Sequence, residues 1–211
     1  MIKKITPEMA RIHAHICGDG CVYTKILKLS KRKLSRHKRI NPYEKIWVME
    51  YTNTENLLRQ EFITDIKISF NRKSYNYSKY YRVTLTHCKW IIDFLELDNK
   101  NSYNWKIPKD ILNSKRLSTH WLRAFFDDES TVTQKQKMIR IKSMNLHGLK
   151  QVLFMLKDHG IYSKITGQNC DKSWYLNIYR NDLKQYEKQI GFLHPQKREK
   201  LNQILTGAAR I

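Results

Sequence analysis

Two nine-residue runs with apolar residues at helical spacing stand out along the chain, and each carries an acidic residue at its next-to-last position. The first run covers residues 12–20 and carries Asp19, and the second covers residues 122–130 and carries Glu129. A sequence typical of a β-strand follows each run. The repeated unit is therefore a helix, an acid at its C-terminal end and a strand, and the chain contains two copies of it.

Small residues in these runs predict that the two helices pack against each other. Ala14 and Gly18 lie four residues apart and share one face of the first helix, and Ala124 occupies the matching place in the second. Close packing would bring Asp19 and Glu129 to the same end of the pair. Because both carboxylates would lie at the negative ends of helix dipoles, divalent cations would relieve their repulsion.

The apolar pattern outside these helices predicts the same order of elements twice, α-β-β-α-β-β-α. In the first copy the motif helix is followed by strands at 21–29 and 45–52, a helix from Asn53 or Thr54 to beyond Phe62, strands at 66–71 and 81–86, and a helix at 87–95. In the second copy Ser118 or Thr119 caps the motif helix, which precedes strands at 131–134 and 138–144, a helix at 146–158, strands at 161–168 and 174–179, and helices at 182–190 and after Pro195. Residues 1–97 and 118–211 are the predicted halves, and residues 98–117 connect them.

The charge of the chain favours a polyanionic partner. Its 211 residues include 40 Lys and Arg against 19 Asp and Glu, a formal net charge of +21. Nucleic acid is the leading partner and an acidic membrane surface the lesser one. No apolar run is long enough to span a membrane and no signal peptide is recognisable, so we expect a soluble protein inside the cell, in the cytoplasm or an organelle matrix.

A basic run lies at the tip of the first predicted hairpin. It is either a solvated loop or a contact to the phosphate backbone of a duplex, and its cationic residues are Lys31, Arg32, Lys33, Arg36, Lys38 and Arg39.

A candidate metal site has His13, Cys17 and Cys21 at intervals of four. These three residues suggest either a structural zinc site or ordinary packing, and Cys21 belongs to the following strand.

The two motif copies resemble those of the LAGLIDADG homing endonucleases, in the archaeal-type single-chain form with two motifs. The resemblance covers nearly the whole chain and includes residues 105–108 of the connection and the tail at 191–201. It implies an α+β fold of two pseudo-symmetric halves, each with a four-stranded antiparallel sheet, packed through the motif helices. His13, His15 and Cys17 replace residues that are usually small, apolar or, for Cys17, acidic. Ser130 replaces a Gly, which predicts backbone strain and reduced activity.

The resemblance also implies a sequence-specific DNA endonuclease that makes a staggered double-strand break in a long site as a monomer. Asp19 and Glu129, with the preceding Gly18 and Asp128, would bind Mg²⁺, for which Mn²⁺ or Ca²⁺ could substitute in binding. Lys197 is the first choice for a cation that supports the transition state, and Lys106 or Lys109 is a weaker one. Asn53 and Asn145 would either position water or phosphate or cap helices, and capping is favoured for both.

Polar side chains along the predicted strands are candidates for reading base edges in the DNA major groove. They are Lys67, Ser69, Asn71, Arg82 and Thr84 in the first half, and Arg140, Lys142, Lys164, Tyr175, Asn177 and Tyr179 in the second. The alternative is that they form only the solvated side of a sheet.

Two other functions fit the same sequence. One is an intron-RNA maturase or a non-cleaving DNA-binding protein of this fold, with the host intron RNA as a possible partner. The other is a general basic nucleic-acid binder, which would bind any duplex equally at fixed salt. The gene is expected to be intron-encoded or free-standing.

Overall fold

The computed structural model describes residues 4–29, 42–97 and 103–207, in which eight α-helices and eight β-strands are present. The helices are α1 Pro7–Cys17, α2 Asn56–Phe70, α3 Lys89–Phe94, α4 Lys109–Leu112, α5 Lys115–Glu129, α6 Leu146–Asp158, α7 Arg180–Gln189 and α8 Pro195–Thr206. The strands are β1 Gly20–Lys28, β2 Tyr43–Thr52, β3 Tyr75–Tyr77, β4 Arg82–Thr86, β5 Ser130–Thr133, β6 Met138–Ser143, β7 Lys164–Gly167 and β8 Trp174–Tyr179. None of the helices described is long and apolar enough to cross a membrane.

The strands form two four-stranded antiparallel sheets with matching topology. The first sheet has the order β1-β2-β4-β3 and the second has the order β5-β6-β8-β7. Each sheet belongs to one half of the chain, and each half has the order α-β-β-α-β-β-α. The predicted α+β fold and its internal duplication are therefore confirmed.

The motif helices α1 and α5 pack against each other and join the halves. Met9, Ile12 and Ile16 of α1 belong to the core of the first half. Ala10 and Ala14, on another face of α1, belong to the core of the second half. The small residues therefore lie in the contact between halves, as their spacing predicts.

Two glycines at the end of α1 are required by close approaches. A Cβ atom on Gly18 would lie 2.9 Å from Cβ of Asp128, and one on Gly20 would lie 2.5 Å from Cα of Ile16. The second half differs, because Ser130 follows α5 in an extended conformation with φ −89° and its hydroxyl donates to the carbonyl of Phe126. The predicted strain at Ser130 was wrong, since the backbone there is not left-handed.

The predicted strand at 66–71 was wrong, because α2 continues to Phe70. Leu58, Phe62, Ile66 and Phe70 follow one another at intervals of four and are all buried in the first core, whereas Ile68 is 64% exposed. The alternation of apolar residues at 66, 68 and 70 is thus accidental, and the helical spacing decides the structure. The third strand along the chain is instead β3, which lies between the two predicted strands at 66–71 and 81–86.

The starts of two helices also differ from the prediction. Helix α5 begins a turn early, where the Ser114 hydroxyl accepts the N–H of Leu117, and Ser118 lies buried inside the helix. Helix α2 is capped by Glu55, whose carboxylate accepts the N–H of Leu57. Asn53 and Thr54 are therefore not the cap residues, which leaves the side chain of Asn53 free to turn elsewhere.

Candidate active site

Asp19 lies at the end of α1, where the chain enters β1. Its carbonyl accepts the N–H of Thr52, so the neighbouring strand fixes its backbone. Its carboxylate Oδ2 accepts a hydrogen bond of 2.8 Å from the amide Nδ2 of Asn53. Desolvation by the surrounding protein and then the charge of Asp128 raise the pKa of Asp19 to about 6, although the Asn53 hydrogen bond opposes the rise.

Glu129 is the last residue of α5 and lies beside the end of α1. A Cβ atom on Gly18 would be 3.4 Å from its Cγ. Burial raises the pKa of Glu129 to about 7, and the charges of Asp19 and Asp128 add to this effect. The structure therefore brings one acid from each half to the same end of the motif-helix pair.

Asp128 carries a third carboxylate, which turns into the interface between the halves. Its Oδ2 lies 2.8 Å from Nδ1 of His15, and its Oδ1 accepts hydrogen bonds from the Tyr51 hydroxyl at 2.7 Å and from Asn53 Nδ2 at 3.3 Å. The Asp128 side chain is fully buried. A metal-binding role for Asp128, as the resemblance implies, does not fit its carboxylate, because three donors already share it.

His15 is the buried residue whose positive charge pairs with Asp128. Nε2 of its ring is 3.6 Å from Glu61, on the side opposite Asp128. Burial lowers the pKa of His15, but the charges and hydrogen bonds of Asp128 and Glu61 outweigh burial and raise it to about 10. His15 is therefore an imidazolium at neutral pH, and it offsets part of the negative charge next to the site.

The charged contacts continue through the interface to the far ends of the motif helices. Arg11 holds the Asp65 carboxylate through two hydrogen bonds of 2.6 and 2.8 Å, and Arg123 forms an ion pair with Glu61. We call this set the interface network; it consists of Arg11, His15, Tyr51, Glu61, Asp65, Arg123 and Asp128. Sequence pattern alone does not predict the network, although His15 departs from the usual motif and Asp128 stands where the first motif copy has Gly18.

Lys197 and Asp127 fix the end of α5. The Lys197 ammonium donates to the carbonyls of Phe126, Asp127 and Asp128 at 3.1, 2.5 and 3.2 Å. The Asp127 carboxylate accepts the N–H groups of Leu193 and His194, which begin the tail. Burial lowers the pKa of Lys197, and the charges of Asp127, Asp128, Asp19 and Glu129 oppose this. The three ammonium hydrogens of Lys197 cap the helix, and its support of a transition state stays a prediction.

Asn145 begins helix α6, and Lys106 lies in the connection between the halves. The Asn145 oxygen caps α6 by accepting the N–H of Gly148, and its amide donates to the carbonyl of Trp105 at 2.6 Å. Helix capping, the favoured interpretation, is therefore confirmed for Asn145. Lys106 is exposed in the connection, and Lys109 is exposed at the start of α4.

The second sheet places all its predicted DNA-contacting residues on one face. Strand register pairs Arg140 with Asn177 and Lys142 with Tyr175, and Lys164 and Tyr179 extend the same face. Nε of Arg140 donates to Asn177 at 2.9 Å, and its guanidinium lies 4.6 Å from the centre of the Tyr175 ring. Lys142 pairs with Asp171 at 2.5 Å. This face is polar, and its arginine is already oriented.

The first sheet has a comparable but more tyrosine-rich face. Arg82 and Thr84 lie on it, and both contact Glu50, at 3.3 and 3.0 Å. Register places Tyr75 opposite Thr84 and Tyr77 opposite Arg82, so these exposed tyrosines, which the sequence analysis did not select, share the face.

Three predicted DNA contacts in the first half do not lie on this sheet. Lys67 and Ser69 are on α2, and Asn71 ends that helix and accepts a hydrogen bond from Lys67. Their assignment to a strand face was wrong because helix α2 continues to Phe70 and ends at Asn71. The predicted basic contacts Lys31, Arg32, Lys33, Arg36, Lys38 and Arg39 lie outside the residues that the structure describes.

The zinc alternative has no support in the part of the chain that the structure describes. Cys17 is buried, its sulfur is 3.5 Å from Nδ1 of His13, and Cys21 is exposed on β1. Across residues 4–29, 42–97 and 103–207, no group of three or more His, Cys, Asp and Glu is arranged to hold a metal ion. The packing interpretation therefore accounts for Cys17.

Comparison with known proteins agrees with this architecture. Residues 117–191 match the family model of the LAGLIDADG-like domain. The structure of I-DmoI in complex with DNA and Ca is 18% identical, with 95% of this chain and 99% of that chain covered and a TM-score of 0.61. The I-LtrWI LAGLIDADG homing endonuclease bound to target DNA is 10% identical, with 95% and 92% covered and a TM-score of 0.54.

Full-length DUF199/WhiA from Thermatoga maritima shares the fold as well, at 14% identity and a TM-score of 0.58, with 98% of this chain and 62% of that chain covered. These similarities in structure establish the fold alone, because all the identities are below 25%. Together with the family match and the two motif helices, they confirm the resemblance. Residues 117–191 thus match the model of the LAGLIDADG-like domain, and the chain shares the fold of the homing endonuclease I-DmoI.

Proposed function

We propose that this protein is a sequence-specific homing endonuclease that binds a long double-stranded DNA site as a monomer and makes a staggered double-strand break with Mg²⁺. The observation that carries the proposal is the convergence of Asp19 and Glu129, one from each half, with the pKa of each raised by its surroundings. Solved complexes of I-DmoI with DNA, and of I-LtrWI with target DNA, support DNA as the partner.

The donor set at this site fits a hard divalent cation. Asp19 and Glu129 supply carboxylate oxygens, and the repulsion between the two charges would be relieved by a cation. Mg²⁺ typically takes only one or two protein carboxylates and fills its remaining positions with water and phosphate oxygens, so a site with few protein ligands suits it. I-DmoI structures with Mn and with Ca support Mn²⁺ and Ca²⁺ as substitutes.

The chain's own residues would orient the reacting groups. When bound, a divalent cation lowers the pKa of water and stabilises the charge that develops on phosphate. Asn53 holds the Asp19 carboxylate through Nδ2, and Lys197 holds the end of α5 and thereby the backbone that carries Glu129. Lys197 also places a positive charge beside both acids.

Recognition would come from the two polar sheet faces. In the second half, Arg140 is held by Asn177 and stacked on Tyr175, so little side-chain entropy is lost when its guanidinium meets a guanine edge. In the first half Arg82 lies between the rings of Tyr77 and Tyr80, at 5.4 and 5.7 Å from their centres. The net charge of +21 would add attraction to the phosphates.

Cleavage selection on a randomised DNA library with Mg²⁺ tests the proposal and yields the target. Asp19→Asn and Glu129→Gln should each lower double-strand cleavage of that target by about a hundredfold or more while target affinity in Ca²⁺ stays within about threefold. Glu187→Gln is a matched control, because Glu187 is a half-buried acid on α7 whose pKa is also raised by burial.

Unchanged cleavage by either acid variant would contradict the assignment of the site. Tight, sequence-specific binding without cleavage by the unmodified protein would identify it as a non-cleaving DNA-binding protein. Equal affinity for all duplexes at fixed salt would identify a general binder.

A further inference from the structure

We propose that His15, Tyr51 and Asp128 act as positioning residues that fix the amide of Asn53 and, through it, the carboxylate of Asp19. This inference rests on the proposed function. None of the three side chains would contact the metal or the phosphate. His15 and Asp128 come from different halves of the chain and meet where the two motif helices pack.

Three of the four hydrogen bonds that the Asn53 amide can make are assigned, including both of its N–H groups. Its Oδ1 accepts the N–H of Glu55 at 2.8 Å, and its Nδ2 donates both to Asp19 at 2.8 Å and to Asp128 at 3.3 Å. The contact to Glu55 determines which side of the amide carries the oxygen. The nitrogen therefore points towards the two carboxylates, and Asp128 contributes to its direction through the longer of the two hydrogen bonds.

Asp128 can act as a fixed reference point because it is held from three sides. Tyr51 donates to the oxygen that Asn53 also contacts, and His15 holds the other oxygen. Tyr51 is fully buried, with its ring 4.6 Å from His15 and 4.9 Å from Phe62, measured between ring centres. The Asp128 backbone is fixed as well, because its Cβ approaches Gly18 so closely that a Cβ atom there would be 2.9 Å away.

The second half supports its acid differently in the residues that the structure describes. Strand register makes Ser143 the counterpart of Asn53, because Ser130 pairs with Ile141 as Gly20 pairs with Tyr51. The Ser143 hydroxyl accepts the N–H of Asn145, which caps α6. The end of α5, which carries Glu129, is held by Lys197. Removing the Tyr51 hydroxyl should thus weaken the function of Asp19, while Lys197 still holds the backbone that carries Glu129.

Tyr51→Phe is the most conservative test, because it removes one hydroxyl and retains the ring. We expect the Mg²⁺ concentration for half-maximal cleavage of the selected target to rise about tenfold, the size of effect expected from one hydrogen bond to a charged group. Target affinity in Ca²⁺ should remain within about threefold. Tyr186→Phe is the matched control, because Tyr186 is a buried tyrosine of the second half whose hydroxyl donates to the carbonyl of Gly191.

A purely structural role for Tyr51 would lower the melting temperature without changing the Mg²⁺ requirement, as is expected for Tyr186→Phe. A Mg²⁺ requirement for Tyr51→Phe that equals that of the unmodified protein, while the unmodified protein cleaves, would overturn the positioning role alone. To separate loss of the positioning role from failure of the proposed function, Mn²⁺ is titrated into the unmodified full-length protein and its binding is followed by electron paramagnetic resonance. If the unmodified protein neither cleaves nor binds Mn²⁺, the proposed function is overturned, and the positioning role with it.

Discussion

The two halves share a topology but support their acids by different means. In the first half, Asp19 is held by an amide from its own half, and that amide is directed by Asp128 from the other half. In the second half, the end of α5 is held by Lys197 and the tail, both from its own half. Duplication has thus preserved where each acid lies, while the residues around it have diverged.

The difference is clear at the start of the second helix of each half. Asn53 precedes α2 without capping it and turns to Asp19, whereas Asn145 caps α6 and donates to the carbonyl of Trp105. Strand register and the helix caps make Ser143 the counterpart of Asn53, and Glu55 the counterpart of Asn145. A serine thus stands where the first half has the amide that contacts Asp19, and the two asparagines are not equivalent in the fold.

Replacing His15 by Leu is the most severe test of the contacts between the two halves. The substitution leaves Asp128 and Glu61 without their shared cation, and a buried carboxylate without its partner costs about 3–5 kcal/mol. Urea unfolding should show a loss of unfolding free energy of that order. In the double variant His15→Leu with Asp128→Ala, at least half of the loss should be recovered, since the buried charge is removed together with its partner. A single variant as stable as the unmodified protein would contradict the buried ion pair.

Lys197→Met tests the support of the second half. It keeps most of the aliphatic stem and removes the cation that caps three carbonyls, so we expect a loss of about 1.5–3 kcal/mol in unfolding free energy. Cleavage at saturating Mg²⁺ should fall as well, because Glu129 depends on that helix end. Lys200→Met, at an exposed position of α8, is the control and should change stability by less than about 0.5 kcal/mol. Equal stability of the two variants would exclude a capping role for Lys197.

Alanine substitution of the two asparagines separates their roles. Asn145→Ala removes a helix cap and should cost about 1–2 kcal/mol in thermal or urea unfolding, with an unchanged Mg²⁺ requirement for cleavage. Asn53→Ala should instead raise the Mg²⁺ requirement. If both variants changed only stability, the proposed role of Asn53 at the Asp19 carboxylate would be contradicted.

The pH dependence should give the smallest effect. Because the pKa values of Asp19 and Glu129 are raised to about 6 and about 7, each acid stabilises the metal-free fold below pH about 4 and loses this contribution as pH rises to about 7. In Asp19→Asn the loss of unfolding free energy over that range should be smaller, by roughly 1 kcal/mol or less, as urea unfolding at each pH would show. At limiting Mg²⁺, cleavage by the unmodified protein should increase over the same range, since protons compete with the metal. A cleavage rate independent of pH between 5.5 and about 7.5 would contradict the raised pKa values.

The sequence predicts most of the fold because its signals are local and repeated. The motif helices, their acids and seven of the eight strands follow from apolar spacing within single segments. The segment around Ile68 is misassigned because three alternating apolar residues satisfy a strand pattern, while the helical pattern needs a longer window that reaches back to Leu58. Both patterns are present, and burial of Phe62 and Ile66 in one core decides between them.

The interface network could not be predicted in the same way. The contact between Tyr51 and Asp128 joins residues 77 positions apart, and that between His15 and Asp128 joins residues 113 apart. Nothing in either local pattern specifies the other partner. Only the unusual residue types at His15 and Asp128 indicate that the interface is polar, and the packing of α1 against α5 is needed to pair them.

The close contact between Gly18 and Asp128 also determines which helices can pair. Two copies of α5 would bring an aspartate to the place that Gly18 occupies, where even a Cβ atom would be 2.9 Å from the facing side chain, and would add a second buried negative charge. Two copies of α1 would leave each His15 without the Asp128 carboxylate and an unfilled space opposite each Gly18. Each half therefore fits its partner better than a copy of itself. The duplicated gene has in this way lost the option of working as a dimer of identical halves, and the two halves must now evolve together.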